Sequence, residues 1–200
     1  MKAAAPLRVL HLGKFFPPFF GGMETYLADL IQAQRAQGVD AFALVHGDPL
    51  PDDPPWLQRV PVQWQLLYAP IAVGYPQALA RAIQAFKPDV LHLHMPNNSV
   101  FWALLLPAAR RLPWVVHWHS DVLVSDNRTA LALAYLAYRP FEQAVLARAE
   151  RMYSVRGEPD PRTGAGHESL FPPLALDAAE AALIDELRGR GLSPYRLHLA

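Results

Sequence analysis

The chain has 200 residues, 52% of them hydrophobic, with 18 basic and 18 acidic side chains and a formal net charge of zero. That length accommodates one full core, or one core plus a fragment of another. The charge balance lacks the basic excess that marks nucleic-acid binders, so no nucleic-acid partner is expected. The absence of cysteine excludes disulfide staples, thiolate catalysis and Cys-ligated zinc.

No apolar stretch reads as a leader or a membrane span. Residues 7–12 form a short apolar run broken by Arg8 and His11. The run 100–106 is stopped by Pro107 and then Arg110 and Arg111, well short of the ~20 residues a spanning helix needs. A soluble, cytoplasmic protein is expected. The 20 prolines, with abundant alanine and arginine, resemble a high-GC bacterial coding bias.

In chain order, residues 7–12 predict a buried strand ending at Gly13, followed by a Pro-, Phe- and Gly-rich loop over 14–22. Met23, Tyr26, Leu27, Leu30 and Ile31 then recur at helical spacing, predicting a helix over 23–37 that stops at Gly38. Residues 39–45 predict a second strand, and 47–55 carry turn chemistry. The segment up to Pro70 fits neither period. Residues 76–86 predict a helix with proline near its start, ended by Lys87-Pro88-Asp89. A strand over 90–94, a helix over 99–111 and a strand over 114–118 follow. A long helix over 129–151 with a bend at Pro140 then leads to a short strand over 152–155.

Strands alternating with helices predict an α/β fold, a Rossmann-like doubly wound parallel sheet with helices on both faces. The loops after the strands then share one edge of the sheet, where such folds bind ligands. Beyond 155 the pattern changes. Residues 156–167 read as loop, 178–188 as a helix capped by Asp177, and 195–200 as the start of a strand.

Three strand ends carry candidate chemistry. Gly21 and Gly22 lie between a strand and a helix start, where bare backbone and a helix N-terminus suit phosphate; a plain tight turn is the alternative. Neither a GxGxxG fingerprint nor a P-loop is present. His92 and His94 share one face of their strand and run into Asn97. Without a third ligand in view no metal site is expected; the alternative is one buried histidine and one in a loop mouth. His119, Ser120 and Asp121 follow the strand 114–118, where His119 could contact a developing charge or a hydroxyl, or only cap a loop. As a nucleophilic triad they are rejected, because such near neighbours in sequence rarely reach triad geometry. Asp52, Asp53, Glu142 and Glu150 read as solvated or helix-face charges. Trp56, Trp64 and Trp118 read as core or as part of an acceptor wall.

Taken together, these motifs resemble family-4 glycosyltransferases of the GT-B fold. The family's Lys-Phe-x-Pro-Pro-x-x-Gly-Gly-x-Glu-Thr stretch is matched by Lys14, Phe15, Pro17, Pro18, Gly21, Gly22, Glu24 and Thr25. Pro-Asp-Val-x-His-x-His is matched at 88–94, His-Ser-Asp at 119–121, and the interdomain Pro-Leu-Gly-Leu-Asp by Pro-Leu-Ala-Leu-Asp at 173–177.

The resemblance implies an N-terminal, acceptor-side domain over 1–173. Residues 174–200 would be the linker helix and first strand of a donor-binding domain that the 200 residues do not complete. It implies retaining transfer of a hexose from a nucleotide-diphosphate sugar to a glycolipid or oligosaccharide acceptor, in polysaccharide or lipopolysaccharide synthesis. No metal or other cofactor is implied. Gly21 and Gly22 would face the donor diphosphate, and His119 would be the catalytic contact to the transferred sugar. His94, Asn97, Ser120 and Asp121 would position acceptor or sugar. The family's later Arg and Lys diphosphate grip and its Glu-x7-Glu motif are not among these residues, so the chain alone is expected to be inactive. The alternative is a non-catalytic module that binds acceptor or docks a separate donor domain through strand 195–199. Family members often sit at the inner face of the cell membrane, so peripheral membrane contact is a further expectation.

Overall fold

The computed structural model describes residues 5–66, 69–119 and 129–154. Six strands form one parallel sheet: β1 (Arg8–Leu12), β2 (Asp40–His46), β3 (Leu57–Val60), β6 (Val90–Met95), β7 (Trp114–Trp118) and β8 (Arg151–Ser154), in the order β3-β2-β1-β6-β7-β8. The chain winds outward from β1 through β2 to β3, then returns to β6 on the other side of β1 and winds out to β8. β1 and β6 therefore flank the point where the winding reverses. Ligands of doubly wound sheets bind in the crevice at the carboxyl ends of the strands there.

The strands sort their side chains by parity. Leu10, Leu12, Leu44, Leu91, Leu93, Met95, Trp114 and Val116 point to one face and are buried there with α2 (Tyr75–Phe86). Val145 and Ala149, at the end of the last helix, complete that core. The other face carries Ala41, Ala43 and Val45 on β2, and α1 (Gly22–Ala36) covers them with Leu27, Ala28 and Ile31. The small β2 residues let α1 approach closely. Gly13 serves the same approach, because a Cβ there would collide with the Leu27 side chain.

Several boundaries differ from the sequence pattern, each for a local reason. The expected helix over 99–111 is divided. A 3-10 turn at Asn98–Phe101 leads into α3 (Trp102–Leu105), and α4 (Pro107–Arg110) starts afresh. Leu106 between them is extended, as a residue before proline tends to be, and Pro107 takes the first turn of the new helix. The last helix, α5 (Thr129–Arg148), ends before the expected 151 and carries Pro140 inside it; β8 begins at Arg151. The segment of no clear period holds β3 and a small antiparallel hairpin, β4 (Trp64–Leu66) with β5 (Ala69–Ile71). β3 is a short run buried at three of its four positions and β4 is exposed throughout, so neither shows an alternating period. The expected linker, helix and strand beyond 155, and with them the domain boundary at 173–174, lie outside the described residues.

Candidate functional site

Five histidines pave the α1 side of the sheet near its centre. His11 on β1 is the register partner of His92 on β6, and His94 on β6 is the register partner of His117 on β7. His119 follows one step beyond β7, with its amide donating to the Met95 carbonyl at 2.9 Å. Each of the five sits at an alternate position of its strand, so all project to one face. Their rings lie against one another, with centroids 4.9 Å apart for His11–His92, 4.6 Å for His92–His94 and 4.4 Å for His117–His119.

Three of these rings form a hydrogen-bonded chain. His11 Nε2 is 2.8 Å from Gln34 Oε1 of α1, His11 Nδ1 is 3.1 Å from His94 Nε2, and His94 Nδ1 is 2.9 Å from His119 Nε2. Burial pushes the pKa of His11 and of His117 down to about 4, and holds His92, His94 and His119 well below the ordinary histidine value. Neighbouring imidazoles deepen the shift for all of these except His11, where the Gln34 bond opposes it. The cluster is therefore uncharged at neutral pH.

The alternative of one buried histidine and one in a loop mouth is corrected: His92 and His94 are both buried. The third candidate metal ligand that the sequence did not reveal is His11. One nitrogen from each of His11, His92 and His94 lies within 4.8 Å of the others. Both ring nitrogens of His11 and both of His94 are, however, engaged in the hydrogen-bonded chain. A cation would have to break those bonds and enter an uncharged interior.

α1 brings the glycine pair to the same edge. Tyr26, in its second turn, packs against the rings of His117 at 4.6 Å and His119 at 5.1 Å. Gly22 opens the helix and faces open space, with nothing within 4 Å of where a Cβ would stand. Over Gly21 lies the carboxylate of Glu24, which a Cβ there would strike. Glu24 is buried at the helix start, where the helix dipole favours its charge. Burial raises its pKa, and the nearby Lys14 ammonium opposes that rise. Asn97 is buried after β6, its side-chain oxygen accepting from the Ser99 amide at 3.1 Å. Ser120 and Asp121 lie outside the described residues.

The loop before α1 is tied down by residues that the sequence pattern did not single out. His46, at the end of β2, contacts the Lys14 carbonyl through Nδ1 at 2.5 Å and Ser99 Oγ through Nε2 at 2.8 Å. A carbonyl only accepts, so Nδ1 carries the proton and Ser99 donates to Nε2. Arg59 donates from Nε to both carboxylate oxygens of Asp53 at 2.9 Å, and its other nitrogens reach the carbonyls of Phe16 and Pro17. Asp53 is thus a half-buried structural ion-pair partner of the buried Arg59, not a solvated charge. Glu142 is buried. Trp56 packs edge-on against Phe16 and Trp118 against the main core, whereas Trp64 is exposed on the hairpin.

The family model for a glycosyl transferase 4-like domain matches residues 21–156, more than half of the chain. The chain belongs to that family. No curated protein matches it. The matched span of this glycosyl transferase 4-like chain runs from the glycine pair through β6 and β7 to just past β8, and β1 with His11 precedes it. Its parallel α/β sheet is the Rossmann-like architecture expected of a GT-B N-terminal domain. Among the described residues, no helix is long and apolar enough to cross a membrane.

Proposed function

We propose that this chain is the acceptor-side half of a retaining glycosyltransferase, which moves a hexose from a nucleotide-diphosphate sugar to a glycolipid or oligosaccharide acceptor. The observation that carries this reading is the position of His119. It lies at the carboxyl end of β7, held by His94 and flanked by Tyr26 from the helix that Gly22 opens.

Glycosyl transfer proceeds through a sugar that gains positive charge as the bond to the leaving group breaks. A histidine kept uncharged by burial adds no repulsion to that charge, and its lone pair favours it. The open approach at Gly22 is where a diphosphate would come nearest the helix N-terminus, with the Glu24 carboxylate screening Gly21 from it. Ser120 and Asp121 would act beside His119, and His94 and Asn97 behind it.

The test joins the chain to the C-terminal, donor-binding domain of a family-4 glycosyltransferase and measures sugar transfer from a panel of nucleotide-diphosphate hexoses. Transfer by the fusion, lost in H119A and absent from the 200 residues alone, is the expected result. Robust transfer by the chain alone, or transfer by the fusion that is indifferent to H119A, would refute the assignment. The reading as a docking module draws on strand 195–199, outside the described residues.

A further inference from the structure

The histidine chain has a direction, and one side chain sets it. A neutral imidazole carries a single N–H, so each close contact between two ring nitrogens needs a hydrogen from one side only. At the far end of the chain, Gln34 Oε1 faces His11 Nε2 at 2.8 Å. An amide oxygen only accepts, so His11 must hold its proton on Nε2. Its Nδ1 is then a bare lone pair, and the 3.1 Å contact to His94 Nε2 is a bond only if His94 donates. His94 Nδ1 is bare in turn, and the 2.9 Å contact requires His119 to donate from Nε2. The consequence falls on His119 Nδ1, the nitrogen turned away from His94: it carries no proton and can only accept.

We infer that Gln34 is a positioning residue that fixes the tautomer of His119 through His11 and His94, presenting a bare ring nitrogen at the carboxyl edge of the sheet. Gln34 is buried on α1, and its Nε2 has no hydrogen-bond partner among the described residues. The amide is thus retained in the interior with only one of its ends bonded. Burying an unpaired amide N–H costs free energy that an apolar side chain of the same size would avoid. Its one bond is the contact that orders the three rings. The reverse chain, with His11 protonated on Nδ1, would need the Gln34 amide turned over, so that its N–H donates to His11 Nε2 where Oε1 now accepts at 2.8 Å.

That His119 Nδ1 would accept from a hydroxyl of the transferred sugar rests on the function proposed above; the tautomer itself does not. The experiment is nitrogen-15 NMR of the histidine rings in the 200-residue chain at neutral pH. It reads which nitrogen of each ring is protonated and needs no ligand or activity. His11, His94 and His119 are each expected to show a pyrrole-like Nε2 and a pyridine-like Nδ1. In Gln34→Met, which keeps the length and removes the acceptor, His119 should shift toward a mixture of both tautomers. A proton on His119 Nδ1 in the unmodified chain would overturn the inference, and that measurement depends on no variant folding. So would a folded Gln34→Met chain with unchanged His119 shifts. Stoichiometric zinc on His11, His92 and His94, released by chelator with a change in their ring shifts, would also overturn it. Loss of sugar transfer in the H119A fusion is read separately, so either conclusion can fail alone.

Discussion

His94 bridges His11 and His119, with its Nε2 3.1 Å from the first ring and its Nδ1 2.9 Å from the second. Residues on β1, on β6 and just past β7 are joined in this way into one uncharged polar stripe beneath α1. The stripe has a thermodynamic consequence, because each ring must stay neutral in the fold and is free to protonate outside it.

Stability should therefore fall as the solution is acidified. His11, His46 and His117 titrate near pH 4 in the folded chain, against an ordinary value of 6.5. Above pH 6.5 both states are neutral and the groups contribute nothing. Between 6.5 and about 4 the unfolded chain binds protons that the folded chain refuses, so stability is lost with falling pH. Each group accounts for a loss of the order of 3 kcal/mol by the lower limit. Urea unfolding at successive pH values should show the midpoint declining over this window. A flat profile from pH 7 to 5 would contradict the burial of the cluster.

The two glycines should respond oppositely to alanine. At Gly22 a methyl enters open space at the first helical position, so G22A should be neutral or stabilising by up to ~1 kcal/mol. At Gly21 the methyl meets the Glu24 carboxylate, which must leave its place over the helix start. G21A should cost about 0.5–2 kcal/mol, the range for losing a favourable helix-start interaction. Thermal melts of the two variants distinguish them. A destabilised G22A would mean that its surroundings are filled.

Much of this fold is legible in the sequence because buried parallel strands are apolar runs and α1 has a clear helical stripe. His94 and His119 stand out because they lie near or just past a strand end, and His92 because it shares a strand face with His94. His11 does not: within residues 7–12 it reads as an interruption of an apolar run. Its meaning appears only when the register sets it beside His92. Strand parity carries part of that signal, since His11, His92, His94 and His117 all alternate with the apolar residues of their strands. Gln34 sits on the buried side of α1, but no sequence rule says which ring it meets. Asp53 falls in a run of turn residues, and only the return of β3 beside β2 brings Arg59 to it.

That ion pair predicts a large asymmetry between two substitutions. The Arg59 side chain is 5% exposed and also holds the carbonyls of Phe16 and Pro17, while Asp53 also accepts from the Leu50 amide at 2.8 Å. Asp53→Ala leaves the guanidinium buried without its counter-charge and should cost about 3–5 kcal/mol. Asp52→Ala, one residue away with its side chain in no described ion pair, should change stability by less than about 0.5 kcal/mol. Equal effects of the two in urea unfolding would show that the pair does not hold the loop.

Ser99→Ala tests the second anchor of the same loop. Ser99 Oγ is the donor to His46 Nε2 at 2.8 Å, and His46 Nδ1 is committed to the Lys14 carbonyl. Removing the hydroxyl leaves a buried lone pair on His46, which the ring cannot cure by changing tautomer without abandoning Lys14. The expected cost is about 1–3 kcal/mol. His46 is stacked on Tyr75 at 4.9 Å and has no room to turn toward water. Urea unfolding of Ser99→Ala beside the unmodified chain reads this cost. Equal stability of the two chains would show that the Ser99 hydroxyl does not anchor His46.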